Sequence, residues 1–429
     1  MDKKIYDSYV AILKHELVPA MGCTEPIAVA YASAKCREVL GSFPEKIVAY
    51  LSGNIIKNVK GVTVPNSGDQ RGIEVAVILG CVGGKVLEKG HELEVIKDVT
   101  EENIATTRRL VKEGGLCEAQ LVEGVDNLYI CIEMTAGENK AVVVIEKEHA
   151  NITRIVKNDE VIFSADENAA KDEAAPAIDK SLLNVHDIIE FANALNVDDL
   201  RFELERQFVY NCALSAEGMN NKWGAEVGKE LMRMFGDSAD GRAAARAAAG
   251  SDARMGGCNM PVVINCGSGN QGMTIALPVD EFATAWHKDH DTKLRALALA
   301  NLIAVHIKRH IGNLSAFCGA VSAGCAAACG VAYMDGCTEE QLGMLITNAL
   351  CNVGGIVCDG AKSSCAAKIA SAVHASLLAY RMACHGRCFV DGEGLVGPGI
   401  EKTIQNIGRM GKDGMKSTDI EILNIMIGK

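Results

Sequence analysis

Cysteines form the first group of residues in this sequence that could carry chemistry. Cys358 and Cys365 flank the Gly/Ala/Ser-rich stretch CDGAKSSC, and Cys318 lies in LSAFCG. Ligands of an iron–sulfur cluster are thiolates on backbone that folds around a bulky core, which favours small neighbours and helix ends. The three cysteines fit that description. Small cysteines also fill closely packed helix bundles, and this spacing is not a standard metal signature, so a purely structural role stays open.

The number and distribution of the cysteines limit the roles that they can have. The chain has seventeen, and eleven of them fall between residues 258 and 388. The N-terminus has the pattern of an amphipathic helix and not of a signal peptide, so we expect a cytoplasmic protein with reduced thiols and no disulfides. Cys325, Cys329 and Cys351 are competing ligand candidates that spacing does not exclude. A cluster with three thiolate ligands would leave one iron open as a Lewis acid for a leaving group.

Two loops rich in glycine and neutral polar residues form the second group. The stretch NCGSGNQG at 265–272 could expose amide N–H groups to a carboxylate or an oxyanion, and SGNIIKNVKGVTVPNSG at 52–68 could contact a small polar ligand. Both stretches are equally typical of tight structural turns. The candidate substrate contacts are Ser52, Asn54, Asn58, Ser268, Asn270 and Gln271.

Cys23, in GCTEP, is the third candidate. Thr24 is a suitable cap for a helix whose first turn contains Glu25 and Pro26. Cys23 would then lie at or just before the helix N-terminus, where backbone amides lower the pKa of a thiol. We therefore predict a reactive thiolate at this position.

The elements around these residues change character along the chain. Residues 1–40 have a helical pattern with a break at Pro19. Short β-branched runs follow at 45–52, 72–80, 91–99, 127–136 and 140–148, with a helix predicted at 101–114. Beyond a charged linker at 164–181, apolar residues recur at helical spacing in the stretches 182–195, 294–312, 339–355 and 365–384.

These patterns predict an α+β fold, in which a mostly helical catalytic domain (1–40 and 175–429) carries an inserted smaller α+β domain (41–174). The alanine-rich stretch 239–257 is interpreted as a mobile or substrate-covering loop. The uncharged stretch 314–334 is long enough to cross a membrane, but its Ala, Gly, Ser and Cys residues favour a buried helix.

Charge and composition exclude several classes of function. A net charge of -12 argues against nucleic-acid binding, which needs a basic face. The histidines show no zinc spacing, and no phosphate-binding lysine loop is present. We expect a small-molecule enzyme without a nucleic-acid or membrane partner. The oligomeric state stays open, and a homo-oligomer is one option.

Five motifs, in order, resemble the L-cysteine desulfidase family across nearly the whole chain. They are GCTEPIAVA, SGNIIKNVKGVTVPNSG, GSGNQGMTIALPV, LSAFCGAVSAG and VCDGAKSSC. That family is similar in its helical half to the iron–sulfur L-serine dehydratases. Their CDP pattern differs from this chain, which has Gly360 in place of the proline, and their next cysteine lies farther along. This difference favours the desulfidase branch.

The resemblance implies an enzyme independent of pyridoxal phosphate that converts L-cysteine to pyruvate, ammonia and sulfide at a [4Fe-4S] cluster. It implies Cys318, Cys358 and Cys365 as ligands and Cys23 as the catalytic thiol that removes the α-proton. Cys325 is the alternative first ligand, because it also matches a dehydratase cysteine. Dehydration of L-serine, or of another small β-substituted amino acid, is the alternative reaction. A non-enzymatic metal or redox protein is the third.

Overall fold

The computed structural model describes residues 1–165, 178–312 and 314–429. Within them the fold is α+β and mostly helical, which confirms the predicted class. The helices are α1 (Lys3–Glu16), α2 (Thr24–Leu40), α3 (Gly53–Val59), α4 (Ile73–Gly83), α5 (Glu101–Glu113), α6 (Val185–Ala194), α7 (Arg201–Asn220), α8 (Val227–Phe235), α9 (Ala239–Met255), α10 (Gly269–Ala285), α11 (His290–Ile311), α12 (Gly319–Met334), α13 (Glu339–Val353), α14 (Cys365–Cys384), α15 (Ile400–Arg409) and α16 (Lys416–Ile427). The strands are β1 (Pro19–Met21), β2 (Lys46–Leu51), β3 (Cys117–Leu121), β4 (Tyr129–Ala136), β5 (Asn139–Glu146), β6 (Ile152–Lys157), β7 (Glu160–Ser164) and β8 (Pro261–Val263).

A mixed sheet organises the first half of the chain, in the order β3-β2-β4-β5-β6-β7. Only β2 and β3 pair in parallel, and the other neighbours are antiparallel. Along β5 the side chains of Ala141, Val143 and Ile145 are buried while their neighbours are less so, the period-2 pattern of a strand with one covered face. Helix α2 contacts β4 and β5 and also packs against α4. The predicted strands at 45–52, 127–136 and 140–148 are confirmed.

Two other predicted strands are wrong. Residues 73–80 belong to α4, with Gly72 as its N-cap residue, and the described backbone at 91–99 contains a short turn of 3₁₀-helix and no strand. A short apolar run cannot be assigned to a strand or to a buried helix from periodicity alone, so tertiary packing decides. Here Gly80 lets α4 approach α2 closely, because a Cβ atom at Gly80 would lie 2.3 Å from the carbonyl oxygen of Ala30.

Helix α12 lies inside the helical half, as its small residues predict. It contacts α10, α11, α13 and α14. Gly330 makes one of these contacts close, since a Cβ atom there would lie 2.8 Å from a side-chain carbon of Val279. None of the helices in the described part of the chain combines the length and the apolar character that a membrane crossing needs.

The interpretation of 239–257 as a covering loop is wrong, because most of this stretch forms the buried helix α9. Alanine is the best helix former, and a small-residue helix can pack closely against several neighbours. Helix α9 contacts α7, α8, α10 and α14. Arg246 on its flank forms ion pairs with Asp280 and Glu281 of α10, at 2.5 and 3.0 Å.

The helices predicted at 101–114, 182–195, 294–312, 339–355 and 365–384 are confirmed. Most of the predicted linker, residues 166–177, lies outside the described residues. The division into a helical domain and an inserted α+β domain stays a prediction. Helix α2, assigned to the helical domain, packs against the sheet and thereby links the two parts.

The crossing of α7 and α9 provides a test of the packing. A Cβ atom at Gly218 would lie 1.9 Å from the carbonyl oxygen of Ala249, so Gly218→Ala must push the two helices apart. We expect it to lower the free energy of unfolding by about 1–3 kcal/mol, measured by urea titration. Gly343→Ala is the matched control, because Gly343 is also helical but has only Ile400 near that position, at 3.9 Å. The control should stabilise by up to about 1 kcal/mol through helix propensity, and equal effects would contradict the packing argument.

Candidate active site

The four cysteines of the predicted site line one cavity between the two parts of the fold, together with Cys266. The four are Cys23, Cys318, Cys358 and Cys365. Cys23 and Cys318 are the N-cap residues of α2 and α12, and Cys365 is the first residue of α14. Because a helix N-terminus presents unpaired N–H groups, each of these thiols sits where the backbone favours negative charge.

A short antiparallel backbone contact holds Cys318 beside the loop that carries Cys358. The Cys318 N–H donates to the carbonyl oxygen of Ile356 at 3.1 Å, and the Cys358 N–H donates to that of Ala316 at 2.6 Å. Phe317 and Val357 form the bridge between these two bonds. Cys318 and Cys358, forty residues apart in sequence, are thereby held on adjacent backbone segments.

The loop from Cys358 to Cys365 is shaped by contacts with α3. Gly360 has a φ of +93°, and a Cβ atom there would lie 2.4 Å from the carbonyl oxygen of Lys57. The Lys57 ammonium donates to the carbonyl oxygen of Cys358 at 3.2 Å and forms an ion pair with Asp419. Neither proline nor a residue with a side chain is compatible with this backbone at 360, which accounts for the CDG sequence.

Cys23 reaches the cavity because β1 pairs with β8. The register joins Pro19–Met21 to Pro261–Val263 in antiparallel fashion, so the segments after each strand lie together. The Thr24 hydroxyl donates to the carbonyl oxygen of Gly267 at 2.8 Å, beside the GSGNQG motif. The predicted position of Cys23 at the helix start is confirmed, but Cys23 and not Thr24 is the N-cap residue.

The predicted low pKa of the Cys23 thiol is wrong. Burial raises the pKa of this thiol well above its usual value, and the carboxylate of Glu25 adds to the effect. The Cys23 thiol donates to Glu25 Oε2 at 3.3 Å. Burial would also raise the pKa of Glu25, but His149 and Arg254 outweigh it and lower that pKa to about 2. At neutral pH the pair is therefore a protonated thiol on a carboxylate.

Four of the six predicted polar contacts line the same cavity: Asn58, Ser268, Asn270 and Gln271. Ser268 caps α10, since its hydroxyl accepts from the Gln271 N–H at 3.4 Å. The side-chain oxygens of Asn270 and Gln271 are buried and have no hydrogen-bond partner among the described residues. Gln271 also packs on Gly319, next to Cys318. Unpaired buried acceptors at a cavity wall are suited to a polar ligand such as an ammonium group.

The structure places the other two predicted contacts elsewhere. Ser52 and Asn54 line a neighbouring cavity beside the C-terminal helix α16. The Ser52 hydroxyl caps α3 by accepting from the Ile55 N–H, and it donates to the carbonyl oxygen of Asn127 at 2.7 Å. Ser52 thus stabilises the start of α3, and neither residue reaches the thiols.

The competing ligand candidates do not line this cavity. Cys325 and Cys329 are fully buried on α12, within the apolar core. Cys351, on α13, is partly buried at the edge of that core. Of the described cysteines, Cys266 is the fifth that lines the cavity, and burial raises the pKa of its thiol. The structure therefore favours Cys318 over Cys325 as the partner of Cys358 and Cys365.

The three proposed ligands fit a cluster better than a single ion. A single metal ion needs ligand atoms that lie close together. Among the described residues, two groups have all their ligand atoms within 4.8 Å of one another, and the three sulfurs of Cys318, Cys358 and Cys365 are not one of them. The two groups are Asp335, Cys337 and Cys384, and His186, Asp187 and Glu190. Each thiolate of a cluster binds a different iron, so its ligands stand farther apart than those of one ion. Burial and the neighbouring Cys358 raise the pKa of Cys318, and burial raises that of Cys365. Such thiols ionise when a positively charged centre binds.

Comparison with known proteins identifies the family of this chain. The family model described as "Serine dehydratase alpha chain" matches residues 90–424. The chain belongs to the serine dehydratase alpha chain family. A UPF0597 protein of Lachnoclostridium phytofermentans is 47% identical over 99% of this chain and 100% of its own length. A UPF0597 protein of Desulfitobacterium hafniense is 46% identical over 99% of this chain and 98% of its own length. A UPF0597 protein of Finegoldia magna is 47% identical over 98% of this chain and 100% of its own length.

Membership of the serine dehydratase alpha chain family supports a lyase-type enzyme that acts on a small amino acid. It supports the predicted relation to the iron–sulfur dehydratases, and it does not distinguish a cysteine desulfidase. The relatives' names state no substrate.

Several charged residues of the site were missed by sequence reasoning. Glu25, Arg254 and Lys308 line the cavity, as does His149 from the turn after β5. Arg254 donates to the carbonyl oxygen of Gly22 at 2.8 Å, next to Cys23. Glu25 stands in the recognised GCTEP motif and could have been found there. Arg254, Lys308 and His149 are single residues in ordinary helical or turn sequences, and only their burial in the structure distinguishes them from surface residues.

The contact between Cys23 and Glu25 can be tested by thiol reactivity. Glu25→Gln removes the negative charge that raises the pKa of the Cys23 thiol, so the thiolate fraction should increase. Below that pKa, each unit by which it falls raises the fraction about tenfold. We expect faster alkylation of Cys23 in Glu25→Gln than in the wild type, at pH 8 and in protein freed of metal. Peptide mass spectrometry measures the alkylated fraction over time. Glu45→Gln, at an exposed position, is the control, and equal rates in both variants would contradict the contact.

Proposed function

We propose that this protein is an iron–sulfur-dependent L-cysteine desulfidase, which converts L-cysteine and water to pyruvate, ammonia and hydrogen sulfide. The observation that supports this most directly is that Cys23, Cys318, Cys358 and Cys365 line one cavity, which also has unpaired polar acceptors. The proposed ligands are Cys318, Cys358 and Cys365. A [4Fe-4S] cluster on three thiolates supplies an iron with an open position, a Lewis acid for the departing sulfur.

The other residues would hold the substrate and move its α-proton. Asn270 and Gln271 would accept hydrogen bonds from the ammonium group, and the guanidinium of Arg254 would hold the carboxylate. The substrate's ammonium beside Cys23 would oppose the effects of burial and of Glu25 and would favour the thiolate. Cys23 would then take the α-proton while the Cβ–S bond breaks. The resulting enamine tautomerises to an imine, and water hydrolyses it to pyruvate and ammonia.

L-serine dehydration is the second candidate, because the matching family model carries the name of serine dehydratase. The same residues could serve it, with hydroxide as the leaving group. We favour cysteine because the loop at Gly360, shaped by Lys57, departs from the CDP pattern of the iron–sulfur serine dehydratases.

Anaerobic purification and two parallel assays distinguish the candidates. We expect bound iron and acid-labile sulfide, then equal amounts of sulfide and pyruvate from L-cysteine, with slower pyruvate formation from L-serine. Faster turnover of L-serine would assign the protein as a dehydratase. Iron and sulfide without pyruvate from either amino acid would indicate a non-enzymatic metal protein.

Four cysteine variants separate the proposed roles. Cys358→Ala and Cys318→Ala should lose the cluster's visible absorbance, because each removes a ligand. Cys23→Ala should keep that absorbance but lose activity by about 10²-fold or more, since it removes the general base. Cys325→Ala is the control within α12 and should keep cluster and activity. A colourless Cys325→Ala beside a fully loaded Cys318→Ala would reassign the first ligand.

A further inference from the structure

Lys308 is a buried cation without a partner. It lies in the last turn of α11, is 4% exposed and lines the cavity with the four thiols. Its ammonium group makes no ion pair or hydrogen bond with any residue in the described part of the chain. Burying a charge without compensation is costly, so such a group needs an anion that the polypeptide alone does not provide.

The neighbouring lysines differ from Lys308 in this respect. Lys57 forms an ion pair with Asp419, and Lys368 forms one with Asp359. Both also donate to backbone carbonyls at the start of the ligand loop, the segment 357–365 that carries Cys358 and Cys365: Lys57 to Cys358 and Lys368 to Val357. Their charges are therefore already balanced, and they hold the loop in place.

The cavity that Lys308 lines also contains Cys266, Cys318 and Cys358, which indicates the anion that it meets. Burial lowers the pKa of its ammonium group, and Cys266, Cys358 and Cys318 oppose that change, with Lys57 adding to it. Two of these three thiols are proposed cluster ligands. Glu25, the acidic side chain among the described residues that line the cavity, is instead engaged by the Cys23 thiol at 3.3 Å and by His149 at 4.0 Å.

We propose that Lys308 is the counter-cation of the cluster-bearing thiolates and determines how firmly the cluster is held. This inference rests on the proposed function. Three thiolates bring three negative charges and an oxidised four-iron core brings two positive ones, which leaves one negative charge for Lys308 to balance. The carboxylate of an amino-acid substrate is assigned to Arg254 above, so it would leave the charge of Lys308 for the cluster.

Lys308→Met tests this role, because it keeps the length of the side chain and removes the charge. After anaerobic reconstitution we expect the variant to lose its cluster to an iron chelator at least about tenfold faster than the wild type. The decrease of the cluster's visible absorbance measures this rate. The cluster that remains should have a lower reduction potential, because a nearby positive charge favours reduction. Lys308→Arg, which keeps the charge, should show smaller changes in both quantities.

Lys416→Met is the matched control, since it removes one positive charge from an exposed side chain on α16. It should leave cluster loss and potential unchanged. Equal cluster loss and potential in Lys308→Met and the wild type would overturn the proposal. So would unchanged retention with a raised KM for L-cysteine, which would assign Lys308 to the substrate's carboxylate. Should Lys308→Met not fold, Lys308→Gln carries the same test. A wild type that binds no iron and sulfide would instead refute the proposed function.

Discussion

The candidate site depends on one small piece of tertiary structure, the antiparallel contact between residues 316–318 and 356–358. Two backbone hydrogen bonds fix the start of α12 against the loop that precedes α14. Without them, Cys318 and Cys358 would belong to separate loops with no fixed distance between their thiols. Backbone pairing is well suited to this task, because it defines position and direction without using the side chains that the site needs.

Around this contact, the α+β part of the chain acts as a support for the helical part. Lys57 on α3 donates a hydrogen bond to the loop that carries Cys358 and Cys365, and Gly360 allows that loop to pack directly on α3. His149 enters the cavity from the turn after β5. The polar motif at 52–68 therefore contributes mainly by positioning other groups, with Asn58 as its side chain in the cavity. Residues recognised together in sequence can thus serve one site through different physical roles.

Burial explains the electrostatic character of the site. Cys23, Cys318 and Cys365 all have raised thiol pKa values, because partial or full burial disfavours their thiolate forms. In a site of this kind, the thiols lose their protons when a positively charged centre binds, and contact with water alone leaves them protonated at neutral pH. The same low exposure strengthens every remaining charge interaction, which is why a single lysine can matter to the thiols around it.

The errors of sequence reasoning share a cause. The apolar run at 72–80 was predicted to be a strand and the alanine-rich run at 239–257 to be a loop, yet both are buried helices. Each run is compatible with more than one local structure, and contacts distant in sequence decide between them. The same holds for Ser52, whose hydroxyl was expected to bind substrate but caps α3.

The sequence by itself determined the mostly helical α+β class, the main helices, and the motifs that place thiols at helix starts, since periodicity and capping are local properties. It also contained the cysteines of the cavity, but left Cys318 and Cys325 as alternatives. Tertiary structure alone decided between their positions, brought Cys23 to the cavity through the pairing of β1 with β8, and buried Lys308 without a partner. Long-range pairing and burial depend on the whole fold, and no local pattern encodes them.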